Sequence, residues 1–302
     1  MKPLNKTLYV IAPLSNPVRY HSRYRLYQQF EKHMLSFPNL KLITSEVAFG
    51  DRPFETEYHP NHIHLRTDHE IWHKENSINI AISRLPHDWE YLAWVDADLQ
   101  FINLNWVEET IHQLQHYAIV QLFQDAIDLG PKNNFLRKHT SFGYQYVSNA
   151  SYGPNYTFWH PGFAWAATKT AINQMGGLID WAILGAADHH MALAWIGQAY
   201  KSVPKNISKG YLEELLTYQK RCETNIKRNI GFVEGTILHA FHGKTVDRRY
   251  VERWDIITQN NFDPRLHLKR DSQGLFQLDH SIKIRDEIRT YMRGRNEDSI
   301  DE

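Results

Sequence analysis

Two carboxylates stand two residues apart, directly after an apolar stretch of strand length. The stretch runs from Tyr91 to Val95, and the carboxylates are Asp96 and Asp98. On an extended backbone, residues i and i+2 point to the same side, so both side chains can face one point where the strand ends. Two ionised carboxylates that lie close together repel each other unless a cation sits between them. Because oxygen ligands suit Mg²⁺ and Mn²⁺, the pattern predicts a divalent-cation site.

The elements around this pair alternate between strands and helices. Apolar or alternating runs predict strands over Leu8–Ala12, Leu40–Val47 and His62–Arg66, and helical spacing from Trp72 to Pro86 predicts a helix ahead of Tyr91–Val95. This order predicts an α/β fold with a mostly parallel central sheet flanked by helices. Ligands of such sheets bind at the carboxyl ends of the strands, which is where the two aspartates fall.

Several polar residues near predicted strand ends and helix starts are candidates for nucleotide binding. A loop follows the first strand, and arginines lie near the start of the next helix, where anions bind, although they also suit a solvated helix face. A G-x-G-x-x-G sequence and a P-loop are both missing, so neither a dinucleotide-type site nor a P-loop is expected. Glu46 can accept hydrogen bonds from a ribose or a base. The candidates are Pro13, Ser15, Arg19, Arg23, Arg25, Glu46, Lys74 and Asn79.

The second half of the chain is less regular. Residues 125–159 have little periodicity and many aromatic residues, which predicts a long loop that faces a substrate. Asp188 follows a run of small residues and can cap a helix from Met191 to Ile196. His239 and His242 follow an apolar strand. Residues 247–254 are expected to start a basic-faced helix, and a charged surface helix is expected from residue 282 that frays at 296–298.

Composition limits the classes of function. The chain has 302 residues, with 34 basic and 34 acidic side chains, so no net positive charge points to nucleic acid or membranes. Its single cysteine, Cys222, excludes an internal disulfide and a cysteine-based zinc site. The sequence shows neither a signal-type apolar region nor an apolar run of about 18 residues, the length of a membrane span. We therefore expect a soluble, cytoplasmic protein.

Taken together, the ordered motifs resemble the nucleotide-sugar-dependent glycosyltransferases of the GT-A fold, and most closely their galactosyltransferase-like, inverting members. The resemblance covers about residues 8–254. The matching features are the first strand with its Pro13 loop, the Lys74 helix, Asp96-Ala97-Asp98 as the D-x-D motif, Gly176-Gly177 with Asp188, and a late His-x-x-His-Gly. Asp188 stands in Gly-Ala-Ala-Asp-His-His, without the Trp-Gly and paired acidic residues of the best-known relatives.

The resemblance implies a role for each of these residues. Asp98 would bind the metal ion directly, Asp96 would contribute to the metal site and hold the ribose or the donor sugar, and His242, or else His239, would complete the coordination. Asp188 would be the catalytic base on the acceptor side. Mn²⁺ or Mg²⁺ would be the cofactor, and a nucleoside-diphosphate sugar, by family default a UDP-sugar, would be the donor.

The resemblance also implies a domain organisation. A single GT-A domain would span residues 1–260, with a nucleotide-binding half over 1–125 and an acceptor half over 126–260, and residues 261–302 would form a helical extension. The acceptor hydroxyl is left open between a glycan, a protein and a modified nucleic-acid base, for which Arg248, Arg249 and Arg253 offer a local basic track. Two other functions are left open, namely a metal-dependent hydrolase and a non-catalytic sugar-binding module.

Overall fold

The central sheet of the protein is mostly parallel. The structure is a computed structural model that describes residues 7–150 and 159–300. Seven strands of the described residues form it, in the order β10-β6-β9-β4-β1-β2-β3. The strands of the chain are β1 (Leu8–Ser15), β2 (Leu40–Phe49), β3 (His62–Thr67), β4 (Tyr91–Val95), β5 (Leu99–Phe101), β6 (Ile119–Gln121), β7 (Asp125–Leu129), β8 (Phe135–Thr140), β9 (Ala164–Thr168), β10 (Ile230–Phe232), β11 (Thr236–His239), β12 (Leu268–Arg270) and β13 (Phe276–Leu278).

Helices cover both faces of this sheet, and two hydrophobic clusters, one on each face, make up most of the core. The helices are α1 (His21–Met34), α2 (Lys74–Ser83), α3 (Trp106–Gln113), α4 (Phe142–Val147), α5 (Lys169–Met175), α6 (Ala187–Trp195), α7 (Lys209–Asn225), α8 (Arg253–Gln259), α9 (Pro264–His267) and α10 (Arg285–Gly294). The predicted α/β fold class, a mostly parallel central sheet flanked by helices, is confirmed.

The register of the central strands sets the position of the carboxylate pair. Strand β1 pairs in parallel with both β2 and β4, with Leu8 opposite Leu40 and Tyr91, while β9 runs antiparallel to β4. All five residues of β4 are buried, as expected for a strand covered on both faces. Residues 96–98 leave the sheet beside the end of β1, at its carboxyl edge.

A second sheet corrects the prediction of a long loop over 125–159. Strands β7 and β8 pair as an antiparallel hairpin, and β11 runs parallel to β7. Strand β5 pairs antiparallel with β11 and forms the edge of this sheet. Helix α4 follows the hairpin, and its N-cap Ser141 accepts a hydrogen bond from the Tyr144 backbone. The aromatic part of the predicted loop at 151–156 lies outside the described residues. The hairpin brings polar side chains beside β11.

The C-terminal region also differs from the expected frayed surface helix. Helix α10 packs against α8, and the residues that follow it lie against α1, with Arg295 and Glu297 buried. The helix expected to start within residues 247–254 begins only at Arg253, as α8, and Val246–Arg248 ahead of it forms a single 3₁₀ turn. Within the described ranges, no helix has the length and apolar character needed to cross a membrane.

A candidate metal and nucleotide site

A cavity opens at the carboxyl ends of β1 and β4. Its walls come from the β1–α1 loop, the residues after β4, the start of α2, the end of β11 and the chain's C-terminal residues. The polar residues that line it include Ser15, Asn16, Arg23, Lys74, Asp96, Asp98, His239, His242, Arg248, Arg295 and Glu297. The predicted site residues Pro13, Ser15, Lys74, both aspartates and both histidines therefore come together.

Asp98, His239 and His242 converge at one end of the cavity. One ligand atom from each lies within 4.8 Å of the other two. Asp98 Oδ2 lies 3.1 Å from His242 Nε2, Asp98 Oδ1 lies 3.8 Å from His239 Nε2, and the two Nε2 atoms are 3.2 Å apart. Metal–ligand bonds of about 2.1 Å at right angles would separate neighbouring ligand atoms by about 3 Å. The three groups therefore fit around one cation.

The Asp98 side chain is suited to bind a cation at this point. Its Oδ1 atom is buried and has no hydrogen-bond partner within the part of the chain that the structure describes. Burial opposes the charge of this carboxylate, but His239 and His242 hold its pKa below the usual range. A buried carboxylate oxygen without a partner is costly, and a bound cation would remove that cost.

A second carboxylate, Asp128 on β7, fixes the orientation of His239. Asp128 Oδ1 accepts the Nδ1–H of His239 at 2.8 Å, while Oδ2 accepts from His139 at 2.9 Å and Arg137 at 2.6 Å. Burial opposes the charge of Asp128, but these hydrogen bonds hold its pKa well below its ordinary value. With the proton on Nδ1, the lone pair of His239 Nε2 faces the cavity. Metal-binding histidines commonly have such a carboxylate partner.

Lys74 joins the first aspartate of the pair to the predicted base. Its Nζ lies 2.6 Å from Asp96 Oδ1 and 3.2 Å from Asp188 Oδ2. Burial disfavours the charge on Lys74, but Asp188 and Asp96 raise its pKa well above the ordinary value. Asp188 lies in the first turn of α6 rather than at its N-cap, which is Ala186, so the predicted capping role is wrong. Lys74 therefore bridges the carboxylates of Asp96 and Asp188.

Four of the predicted nucleotide-binding candidates, Arg19, Arg25, Glu46 and Asn79, do not line the cavity. Arg19 lies in the turn before α1, whereas Arg23, the third residue of α1 and also a candidate, does line it. Glu46 is buried on β2 and accepts hydrogen bonds from the backbones of Glu55 and Thr56 and from the Thr56 hydroxyl. The side-chain amide of Asn79 donates a hydrogen bond from Nδ2 to the Leu178 carbonyl and accepts one at Oδ1 from the Leu178 backbone N–H. The contacts of Glu46 and Asn79 stabilise loops of the fold.

Sequence reasoning missed the roles of Asp128, Arg248 and Glu297. Asp128 has a visible signal, because alternation in Asp125–Leu129 puts an acidic residue on the buried face of a strand, which local patterning disfavours. Arg248 was assigned to a basic track, yet its Nη2 contacts His242 and its Nε is buried without a hydrogen-bond partner among the described residues. Glu297 carries no signal in the sequence, since its burial comes from the path of the tail.

Comparisons with known proteins gave matches among solved structures, whereas no family model and no curated protein matched. The catalytic domain of Drosophila beta1,4-galactosyltransferase 7 in complex with xylobiose is 12% identical, with 90% of this chain and 94% of that chain aligned and a TM-score of 0.42. A mutant of it in complex with manganese, UDP-Gal and xylobiose has the same identity and coverage and a TM-score of 0.39.

A third solved structure is a putative nucleotide-diphospho-sugar transferase from Desulfovibrio desulfuricans. It is 9% identical, with 95% of this chain and 96% of that chain aligned and a TM-score of 0.34. These structures belong to the class of protein that the sequence resembles. At such low scores they carry no activity over to this chain.

Proposed function

We propose that this protein is a metal-dependent glycosyltransferase that moves a sugar from a nucleoside-diphosphate sugar to an acceptor hydroxyl, with inversion. The observation that carries the proposal is the convergence of Asp98, His239 and His242 on one point, where a buried Asp98 oxygen has no hydrogen-bond partner in the part of the chain that the structure describes. This point lies in a cavity at the carboxyl edge of the central sheet, where ligands of α/β proteins bind.

The ligand set favours Mn²⁺ over Mg²⁺. Mg²⁺ prefers oxygen ligands and keeps several waters, whereas imidazole nitrogen suits transition metals. Two histidines and one carboxylate would hold the ion. A divalent cation bound there would neutralise the negative charge that develops on a departing diphosphate.

The residues around the metal site have complementary roles. Arg248 and Lys74 line the cavity and supply positive charge near the leaving diphosphate. The Nε atom of Arg248 is buried and has no hydrogen-bond partner among the described residues. Asp96 lies between Lys74 and the metal site and is placed to accept hydrogen bonds from the ribose or the donor sugar. UDP is proposed as the nucleotide because the motifs resemble those of UDP-sugar enzymes.

Asp188 is the proposed general base. Its carboxylate would accept the proton of the acceptor hydroxyl while the hydroxyl oxygen bonds to the anomeric carbon. The bond from that carbon to the diphosphate breaks at the same time, and the diphosphate leaves with the electron pair. Attack from the face opposite the leaving group inverts the anomeric configuration. A positioned base of this kind contributes about 10²–10⁴-fold to the rate.

A two-metal hydrolase is less consistent with the site. Such enzymes hold two ions about 3.5–4 Å apart, which requires a second group of ligands. Over residues 7–150 and 159–300, one cluster of three potential ligands is found, and Asp188 and Asp96 are joined by Lys74 instead of facing a second ion.

The direct test is a screen of nucleotide sugars for release of nucleoside diphosphate, with and without Mn²⁺ and with pools of glycan, protein and tRNA acceptors. We expect Mn²⁺-dependent release that an acceptor accelerates and that Asp98→Ala abolishes. Release that no acceptor accelerates would favour the hydrolase. Donor binding without release under any condition would favour a sugar-binding module.

A further inference from the structure

The four residues after helix α10, 295–298, which we call the tail segment, carry a buried carboxylate into the cavity wall. The Glu297 side chain is 1% exposed. It forms an ion pair with Arg23 through two hydrogen bonds, one of them 2.8 Å long, and accepts a 2.6 Å hydrogen bond from Arg295. Burial opposes its charge, but Arg23 and Arg295 hold the pKa of Glu297 well below its ordinary value.

The tail segment is fastened to the start of helix α1. Asp298 accepts hydrogen bonds from the backbone N–H groups of His21 at 3.0 Å and Ser22 at 2.7 Å. These donors have no partner within the helix, and the N-cap residue Tyr20 provides no side-chain acceptor for them. The Tyr20 hydroxyl in turn accepts from the Asn296 backbone at 3.0 Å. A residue 277 positions away therefore caps this helix, which fixes the tail segment in place.

The tail segment also packs directly against the loop that follows β11 and carries His242 and Gly243. Gly243, which follows His242, has φ +84°, and a Cβ atom there would lie 2.7 Å from the Asn296 carbonyl oxygen and 3.0 Å from Glu297 Cα. Contacts that short do not occur for real Cβ atoms, so only glycine allows this approach. The close approach of the tail segment therefore explains why a glycine follows His242, which the His-x-x-His-Gly pattern alone does not reveal.

We propose that Glu297 is a positioning residue for the metal site and acts through His242. Glu297 Oε2 lies 3.8 Å from His242 Nδ1, on the opposite side of the ring from Asp98, which lies 3.1 Å from Nε2. The carboxylate favours the tautomer with a proton on Nδ1, and the Nε2 lone pair then faces the cation. Asp128 does the same for His239, so each histidine has its own carboxylate.

Arg248 is compatible with this arrangement. Its Nη2 lies 2.9 Å from His242 Nε2 and 3.2 Å from Nδ1. A guanidinium nitrogen almost equally distant from both ring nitrogens packs against the ring face and does not lie along either in-plane lone pair. Arg248 therefore blocks neither ring nitrogen of His242. Nε2 stays available to a metal ion, and the proton on Nδ1 can point to Glu297.

The proposal rests on the metal site of the proposed function, and Mn²⁺ binding measured by calorimetry on the full chain without nucleotide tests it. We expect Glu297→Gln to weaken Mn²⁺ binding by about 10–100-fold, as the loss of such carboxylate partners typically does. The matched control is Asp286→Asn, which removes an exposed carboxylate of α10, and its Mn²⁺ affinity should equal that of the wild type. A folded Glu297→Gln protein with wild-type Mn²⁺ affinity would overturn the proposal.

A second measurement needs no variant at position 297, because Glu297→Gln also removes the negative charge that pairs with Arg23 and with the buried Arg295. The ¹⁵N chemical shifts of the His242 ring in the metal-free wild type, assigned against His242→Asn, report its tautomer. The proposal requires the proton on Nδ1, and a proton on Nε2 would overturn it. Should the wild type bind no Mn²⁺, the proposed function fails, while the tautomer still decides whether Glu297 orients His242.

Discussion

His239 donates its Nδ1–H to the Asp128 carboxylate at 2.8 Å, across two neighbouring strands of the second sheet. The contact decides which nitrogen of His239 is free to bind a metal ion. Asp128 lies at a position that the sequence predicted to be an irregular loop, and the β7–β8 hairpin is what brings it there. The proposed metal site therefore depends on a part of the chain distant from the D-x-D motif.

Replacement of Asp128 should weaken metal binding in the folded protein. We expect Asp128→Asn to lower Mn²⁺ affinity by about 10–100-fold, because the His239 tautomer is no longer fixed. Calorimetric titration with Mn²⁺ measures this. Asp125→Asn on the same strand is the control, since Asp125 pairs with Lys138, which is half-exposed. Equal affinities for the two variants would remove Asp128 from the metal site.

Asp188→Asn should separate binding from turnover. We expect kcat to fall by about 10²–10⁴-fold, because the acceptor hydroxyl loses its base, while the dissociation constant of the donor stays unchanged. Steady-state kinetics and calorimetry with the donor that the screen identifies measure the two quantities. Unchanged kcat in the folded variant would exclude Asp188 as the base.

Lys74 should be important for stability, because it neutralises two mostly buried carboxylates. Lys74→Met leaves Asp96 and Asp188 without their cation, and removal of one partner from a buried ion pair costs about 3–5 kcal/mol. Urea unfolding at pH 7 without metal measures the loss. Lys209→Met, which removes an exposed i,i+4 pair with Glu213, should change the free energy of unfolding far less, because solvent screens that pair. Similar losses for both variants would contradict the role given to Lys74.

His190 should make the fold sensitive to acid. Ser202 donates its hydroxyl to the Ala199 carbonyl, so His190 Nδ1 donates to Ser202, and His190 Nε2 accepts from Tyr211. The ring is therefore neutral, and burial, reinforced by His189 and Arg253, holds its pKa well below the ordinary value.

The sign of the pH effect follows from this depressed pKa. The unfolded chain binds a proton at His190 below about pH 6.5 and the folded chain does not, so stability is full above that pH and falls by about 1.4 kcal/mol per pH unit below it. Urea unfolding between pH 7.5 and 5 should show a slope smaller by about one proton in His190→Gln. An unchanged slope would show that His190 is protonated in the folded protein.

Local signals in the sequence were enough to predict strands of the central sheet and the position of Asp96 and Asp98 at the end of one of them. Strands β1, β2 and β4 are apolar runs of strand length, and Asp96 and Asp98 follow β4 directly. His239 likewise ends an apolar strand. These side chains meet because strand ends share one edge of a sheet, which is a property of the fold class.

The remaining parts of the site depend on the path of the chain, which local patterns do not encode. Strand β8 has four consecutive exposed residues, Phe135–Lys138, so it shows no buried period. Glu297 looks like a solvated residue of a charged tail until Asp298 caps α1 and Gly243 allows close packing. Glu46 and Asn79 were expected at the donor site because of their positions near element ends, yet hydrogen bonds to loops direct both elsewhere.

The most direct test of the metal site is anomalous diffraction at the manganese edge from crystals soaked with Mn²⁺ and UDP. The structure predicts one strong peak within about 2.3 Å of Asp98 and of the Nε2 atoms of His239 and His242, with the diphosphate on the same ion. A peak elsewhere, or none at saturating Mn²⁺, with Asp98 left unpaired, would contradict the proposed metal-dependent transferase.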